Sequence, residues 1–326
     1  MSAQIFKTID LFAGVGGIRL GFEKSGFQTV YANDFEPNCK FTYDLNFKST
    51  SLTVKDITKP SQQNFTSVLD DVFKINYDVL LGGFPCQAFS IAGYRQGFRD
   101  SKGRGNLFFY VAEIIEKTQP KAFLLENVKN LKSHDHGKTY KIIKQTLENL
   151  GYFVKEEVLN SMDYGNVPQN RERIYIVGFK SEGQFAKFHF PEKIERTIQV
   201  KDLLDEKVDQ YFYYENKPIW KKIKNFVFEE NTVYQWRRVY VRANKSGVCP
   251  TLTANMGTGG HNVPLIKDHK GVRKLTPGEC FRIQGFPKDY LLPNIAKSHL
   301  YKQAGNSVSV PVIQRIAENM IIALQS

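Results

Sequence analysis

Four groups of residues in this sequence have the types and the spacing to do chemistry. The run Asp10-Leu-Phe-Ala-Gly-Val-Gly-Gly17 offers glycines that turn a backbone tightly and bring it close to a ligand. It departs from the dinucleotide fingerprint, because Arg19 stands where the third glycine belongs. Asp34 ends the next apolar run, where a carboxylate can accept hydrogen bonds from both hydroxyls of a ribose. Asp56, at the expected end of a third strand, is placed to meet an adenine amino group. The second group is Gly82-Gly-Phe-Pro-Cys-Gln87, in which Pro85 stiffens the backbone that carries the Cys86 thiol. A lone cysteine is more often a small buried hydrophobe. The polar, glycine-rich setting of Cys86 weakens that reading, whereas Cys39, Cys249 and Cys280 lack that setting and are expected to be structural. The third is Glu126, directly after an apolar run. The fourth is Gln169-Asn-Arg-Glu-Arg173: alternate side chains of a strand share a face, so Arg171 is expected on the same side as Arg173.

These residues need elements to hold them. Apolar runs at 5–12, 29–32, 78–82, 122–125, 153–159 and 174–179 read as strands, and 17–25, 37–46, 107–117 and 139–150 as helices. The alternation predicts an α/β fold, a mostly parallel sheet with helices on both faces. The short link between the last two strands predicts one antiparallel strand at that end. Ligands of such sheets bind beyond the carboxyl ends of the strands, where Cys86, Glu126, Asp34 and the glycine turn should meet. After about residue 180 the chain becomes irregular, basic and aromatic. Residues 217–245 carry eight Lys/Arg against two Glu, a local net of +6, interleaved with Trp220, Phe226, Phe228, Tyr234, Trp236 and Tyr240. Trp220 and Trp236 are expected to pack as core. An amphipathic pattern at 312–324 predicts a last helix that packs back into the larger domain. The expected division is 1–182 plus 304–326, with a smaller irregular domain and hinge at 183–303.

Composition narrows the partner. The 326 residues are 41% hydrophobic and 24% charged, ordinary globular usage. A formal net charge of +12 favours a polyanion. The four cysteines form no Cys-x-x-Cys pair, so neither a zinc site nor a redox dithiol is signalled, and no metal is expected. No leader pattern opens the sequence and no apolar run reads as long enough to span a bilayer, so the expected location is the cytoplasm, away from membranes.

Taken in order, Asp10–Gly17, Gly83-Phe-Pro-Cys-Gln-Ala-Phe-Ser90, Glu126-Asn-Val-Lys-Asn130, Gln169-Asn-Arg-Glu-Arg-Ile-Tyr175, Arg273-Lys-Leu-Thr-Pro-Gly-Glu-Cys-Phe-Arg-Ile-Gln-Gly-Phe-Pro287 and Gly305-Asn-Ser-Val308 resemble the signature blocks of the cytosine-C5 DNA methyltransferases, compact bacterial restriction–modification type. The resemblance implies a Rossmann-like sheet binding S-adenosylmethionine, with S-adenosylhomocysteine as product. It implies Cys86 as the nucleophile toward cytosine carbon 6, and Glu126, Arg171 and Arg173 as catalytic partners. Phe12, Gly14, Gly16, Gly17, Asp34, Phe35, Asp56, Ile57, Pro85, Leu107, Asn306 and Val308 would hold the cofactor. Ser90, Arg99, Gln169, Arg237, Arg238, Arg242 and Thr251 would contact double-stranded DNA, with 183–303 in the position of the target-recognition domain. The enzyme is expected to be a monomer in a bacterial or phage-infected cell, with a cognate restriction endonuclease acting separately. Relatives that modify tRNA share these blocks, but their Cys-Phe-Thr element is absent from 183–272.

Overall fold

The computed structural model describes residues 4–62, 65–85, 107–227, 229–230, 232–237, 240–244, 247–256 and 262–326. In chain order the elements are β1 (Lys7–Leu11), α1 (Gly17–Lys24), β2 (Gln28–Asp34), α2 (Pro37–Asn46), β3 (Thr53–Val54), α3 (Val68–Val72), β4 (Val79–Gly82), α4 (Leu107–Thr118), β5 (Ala122–Val128), α5 (Lys138–Asn149) and β6 (Phe153–Asn160). Then come α6 (Ser161–Tyr164), β7 (Gln169–Asn170), β8 (Glu172–Phe179), α7 (Glu182–Lys187), α8 (Trp220–Ile223), β9 (Val233–Trp236), β10 (Val241–Asn244), β11 (Cys249–Pro250), β12 (Pro264–Asp268), β13 (Gly271–Lys274), α9 (Pro277–Ile283), α10 (Lys297–Asn306) and α11 (Val310–Leu324). By internal contacts the chain forms two units: 1–159, 172–191 and 313–326, and 160–171 with 192–312. Relative to the expected division, 160–171 and 304–312 group with the second unit and 183–191 with the first.

Unit 1 is built on a seven-stranded sheet, order β3-β2-β1-β4-β5-β8-β6. β1 to β5 pair in parallel, and β8 runs antiparallel to β5. The last strand is thus not the outermost: β8 lies between β5 and β6. Alternation along β1 separates the two faces. Ile9 and Leu11 join Leu80, Phe123, Leu125 and Ile176 in one cluster with Phe108, Val111 and Ile115 of α4 and Ile143 and Leu147 of α5. Each such side chain contributes roughly 1.5–3 kcal/mol on burial. The terminal helix returns to unit 1 as expected. A Cβ on Gly21 of α1 would lie 2.6 Å from Ile313 Cγ2 and 2.9 Å from the Gln314 nitrogen, so only glycine lets α1 and α11 pack this closely. Arg19, in place of the missing third glycine, is buried. Its guanidinium donates to Tyr43 Oη at 2.9 Å, the Thr50 carbonyl at 2.9 Å and Ser49 Oγ at 2.7 Å, and lies 4.3 Å from the centre of the Phe47 ring.

Unit 2 is more regular than its sequence suggests. A four-stranded antiparallel sheet, order β10-β9-β12-β13, replaces the expected irregular module. Its strands have four or five residues, too few to show a period, and β10 is an edge strand whose central residues face out. Tyr214, Ile223, Val227, Tyr234, Trp236, Leu265 and Val272 form its core with Trp220 packed against them, so both tryptophans are core residues as expected. Together α10 and α11 reach the length and mean hydropathy (1.2) of a bilayer crossing, which the sequence reading did not anticipate. The backbone is extended at Ser307 between them, and most of the stretch is buried within the protein.

The strongest electrostatic feature of unit 2 is Arg273, which is 1% exposed. Its Nε lies 2.6 Å from Asp268 Oδ2, and its two terminal nitrogens each lie 2.8 Å from an oxygen of Glu279. Glu279 also accepts the Thr276 N–H at 2.7 Å, closing a capping box at the start of α9. Removing one member of a buried ion group leaves its partners uncompensated. Arg273→Ala is therefore expected to lower the urea unfolding free energy by about 3–5 kcal/mol; a loss under about 1 kcal/mol, the scale of an exposed pair, would refute this role.

Candidate active site

Parallel pairing brings the strand ends of unit 1 level. Leu11 pairs with both Asn33 and Gly82, and Gly82 pairs with Leu125. The residues that follow are therefore neighbours: the glycine turn, Asp34, Gly83 and Glu126. The turn is held by Ala13 N–H on the Asn33 carbonyl at 2.9 Å and Gly16 N–H on the Ala13 carbonyl at 2.8 Å. Phe12, Gly14 and Gly16 all have positive φ (57°, 54° and 78°). A Cβ at Gly16 would run into the Phe47 ring, whereas one at Gly14 would meet nothing within 4 Å. Gly16 is thus needed for packing, and the space over Gly14 is open to a ligand. Asp34 accepts the Gly14 N–H on Oδ2 and the Glu36 N–H on Oδ1, both at 2.8 Å. Burial pushes its carboxyl up, and those backbone donors pull it partly back.

Beside this turn lies an open cleft of about 180 Å³ lined by Phe12, Asn33, Phe35, Lys55, Asp56, Ile57, Thr58 and Leu107. Five residues expected to hold the cofactor, Phe12, Phe35, Asp56, Ile57 and Leu107, are among them. The Phe35 ring is 65% exposed, while Ile57 is buried. Asp56 Oδ1 accepts from the Thr58 N–H at 2.9 Å and its hydroxyl at 2.8 Å, which fixes the carboxylate. Asn33 amide hydrogens on the Thr53 and Lys55 carbonyls, at 3.0 and 2.9 Å, hold the far wall. An aromatic face, an anchored acid and open space over a glycine fit an adenosyl group.

At the neighbouring strand ends, Asn127 Nδ2 donates to the Phe84 carbonyl at 2.8 Å, and its Oδ1 accepts the Val128 N–H at 2.8 Å. Phe84 is buried with its ring centre 5.8 Å from that of Phe108. The backbone two residues before Cys86 is thereby fixed to β5. Asn127 stands in a quoted motif, yet its sequence gave no sign of this role. Glu126 is buried beside the turn: a Cβ at Gly83 would lie 3.5 Å from its Oε2. Arg173 Nε on β8 lies 3.1 Å from Glu126 Oε1. Cys86, Ser90 and Arg99 lie outside the described residues; Pro85 is exposed.

Two expected site residues are placed otherwise. Arg171 precedes β8, which begins at Glu172, so the assumed alternation with Arg173 does not apply. It is buried in unit 2, donating to the carbonyls of Leu252 at 2.9 Å, Gly305 at 3.3 Å and Ser307 at 2.5 Å. Gln169, expected on DNA, is fully buried in unit 2. Its amide donates to Gln284 Oε1 at 3.0 Å and accepts the Leu252 N–H at 3.1 Å. These contacts all lie within unit 2. Arg237 and Arg242 are exposed, and Arg238 lies outside the described residues. Thr251 Oγ1 donates to the Asn170 carbonyl at 2.7 Å. Asn306 is exposed and Val308 buried; both belong to unit 2.

Asp10 went unassigned in the sequence. It is fully buried in β1, and neither carboxyl oxygen has a hydrogen-bond partner within normal limits among the described residues. Burial raises its pKa to about 8, against the opposing pull of the Arg19 backbone N–H and guanidinium.

A mostly parallel sheet with one antiparallel strand, a glycine turn and an aromatic-lined cleft at its strand ends define the Rossmann-like methyltransferase class. The chain belongs to the C-5 cytosine-specific DNA methylase family, whose profile matches residues 6–322, and is a DNA cytosine methyltransferase. It is 53% identical over 315 residues to the Type II methyltransferase M.Bsp6I of Bacillus sp. (strain RFL6), covering 95% of this chain and 96% of that one. To M.NgoBI of Neisseria gonorrhoeae it is 42% identical over 312 residues, covering 95% and 91%. Among solved structures, a Spodoptera frugiperda DNMT2 mutant superposes with a TM-score of 0.73 at 22% identity, covering 97% and 99% of the two chains. That likeness shows the fold alone.

The Asp10 carboxyl gives a pH test. Its folded pKa lies above the ordinary 3.8, so its contribution to stability is complete below pH 3.8 and is lost as pH rises through about 8. Asp10→Asn should therefore raise the melting temperature at pH 8.5 by several degrees, each kcal/mol being worth roughly 2–4 °C at this size. The gain should vanish near pH 4. An equal gain at both pH values would rule out a buried, titrating Asp10.

Proposed function

We propose that this enzyme methylates carbon 5 of a cytosine flipped out of duplex DNA, through a transient bond between Cys86 Sγ and carbon 6. The observation that carries the reading is the Asn127 bond to the Phe84 carbonyl, which ties the backbone two residues before Cys86 to the strand that bears Glu126, itself paired with Arg173. The target carbon is inaccessible inside a stacked duplex, and extruding the nucleotide costs a few kcal/mol.

Cytosine carbon 5 is a weak nucleophile, and covalent catalysis splits the difficulty into smaller steps. The Cys86 thiolate adds to carbon 6, and the displaced ring electrons make carbon 5 nucleophilic. Glu126 holds N3 and the exocyclic amine, donating at N3 as the neutral acid once the base arrives. Arg173 then turns from Glu126 to the carbonyl oxygen of the base. Carbon 5 takes the methyl group, a base removes its proton, and elimination returns the thiolate. S-adenosylmethionine, when bound, supplies that methyl as an electrophile on its sulfonium sulfur. Asp34 would receive its ribose, and Phe35, Asp56 and Ile57 its adenine. No metal enters the scheme.

Unit 2 supplies the DNA-reading surface, with Arg237, Arg238 and Arg242 on phosphates or base edges. The Type II relatives support a restriction–modification role, with this enzyme, as a cytoplasmic monomer, protecting sites that a separate endonuclease would cut.

Cys86→Ser should abolish turnover, below about one part in 10⁴ of wild type if covalent addition is obligatory, while leaving DNA affinity within about threefold, under 1 kcal/mol. Duplex carrying 5-fluorocytosine at the target should attach to the wild-type protein when methyl donor is present. Multiple turnover by the serine variant, or no adduct at Cys86, would end this account.

A further inference from the structure

Within unit 2, three lysines from three segments distant in sequence converge on one aromatic ring. The Nζ atoms of Lys217, Lys274 and Lys297 lie 5.0, 4.6 and 4.9 Å from the centre of the Tyr211 ring, so no two can be more than 10 Å apart. The Tyr211 side chain is 51% exposed. Phe212 and Tyr301 support the cluster from below: Lys274 lies 5.7 Å and 5.5 Å from their ring centres. Lysine stems often lie along aromatic faces while their heads remain in water. Here three heads gather instead of dispersing, and among the described residues none of them forms an ion pair.

The acids nearby are committed elsewhere. Asp209 accepts the Tyr211 N–H at 2.6 Å, Glu215 accepts the Val272 N–H at 2.6 Å, and Glu279 is bound by Arg273. Lys297 opens α10, a helix with no side-chain cap and no acid in its first turn, so the positive end of the helix adds to the same field. Burial and mutual repulsion, Lys274 on Lys217 and Lys297 on Lys274, both act to lower the pKa of Lys217 and Lys274. A polyvalent anion would relieve that repulsion, and the exposed edge of Tyr211 leaves it access.

We propose that Lys217, Lys274 and Lys297, gathered around Tyr211, form a phosphate-binding site on unit 2, taken in this enzyme by the backbone of its DNA. The site uses none of the arginines at 237–242, and a phosphate contact carries no sequence information. It rests on DNA being the substrate and is independent of the covalent step.

The test uses the full chain and two variants, Lys297→Gln alone, at an exposed position, and Lys217→Gln/Lys274→Gln/Lys297→Gln, each checked by circular dichroism. Binding to a duplex is followed from 50 to 300 mM KCl. Each lost phosphate contact should reduce the slope of log K against log[salt] by about 0.9, equally for target and non-target duplexes. Inorganic phosphate, set against chloride at equal ionic strength, supplies the second arm through the melting temperature. A reduced slope assigns the site to DNA. An unchanged slope, with phosphate stabilising wild type but not the single variant, assigns it to a free anion and overturns the DNA assignment. If neither slope nor melting temperature differs in either variant, there is no site. A 5-fluorocytosine adduct that still forms in these variants separates failure here from failure of the methylation mechanism.

Discussion

Everything at the strand-end site depends on the register of β1, β4 and β5. Parallel strands deliver side chains to a common edge only if they end level. The pairings Leu11 with Gly82 and Gly82 with Leu125 meet that condition. A shift of one residue would turn Glu126 to the opposite face of the sheet. The Asn127 bond to the Phe84 carbonyl then converts strand register into loop position. On the other side, Asp34 does the same for the glycine turn through the Gly14 N–H. Two side-chain clamps, on β5 and β2, thus tie the backbone at Phe84 and the glycine turn to the strands beside them.

Three buried arginines show how differently the fold neutralises charge. Isolating such a charge from water costs several kcal/mol unless it is paired or fully hydrogen-bonded. Arg19 meets this with Glu23, neutral oxygens and the Phe47 ring. Arg273 meets it with two carboxylates. Arg171 uses backbone carbonyls from two remote segments, each bond to a charged donor contributing about 1.5–3 kcal/mol. That choice ties the Leu252 region to the 305–307 run within unit 2. Asp10, a buried acid, is treated differently: burial raises its pKa to about 8, against the pull of the Arg19 backbone N–H and guanidinium.

The sequence made unit 1 legible because its elements are long and its loops carry unusual residues. Helix α2 has the bounds its pattern gave, Pro37–Asn46, and the cleft gathers Phe12, Phe35, Asp56, Ile57 and Leu107 as expected. Unit 2 was less legible for two reasons. Four-residue strands such as β9 and β10 are shorter than any window that could register their alternation. Its polar core is also assembled from pairs more than a hundred positions apart, such as Gln169 with Gln284. Nothing local to Gln169 distinguishes a buried amide from one that faces DNA.

The run Gln169-Asn-Arg-Glu-Arg173 shows what a motif hides. Read as one strand it gives two arginines on one face. In the fold it is two short pieces: β7 ends at Asn170 and β8 begins at Glu172. Gln169 and Arg171 spend their polar atoms inside unit 2, and Arg173 turns to Glu126 in unit 1. A five-residue block therefore serves two purposes that fail in different ways. Losing Arg171 strips three buried carbonyls of their donor, a folding defect. Losing Arg173 removes the guanidinium beside Glu126 and leaves that internal network in place. The spacing that made the block recognisable carries no information about which arginine packs where. Only the break between β7 and β8 separates their surroundings.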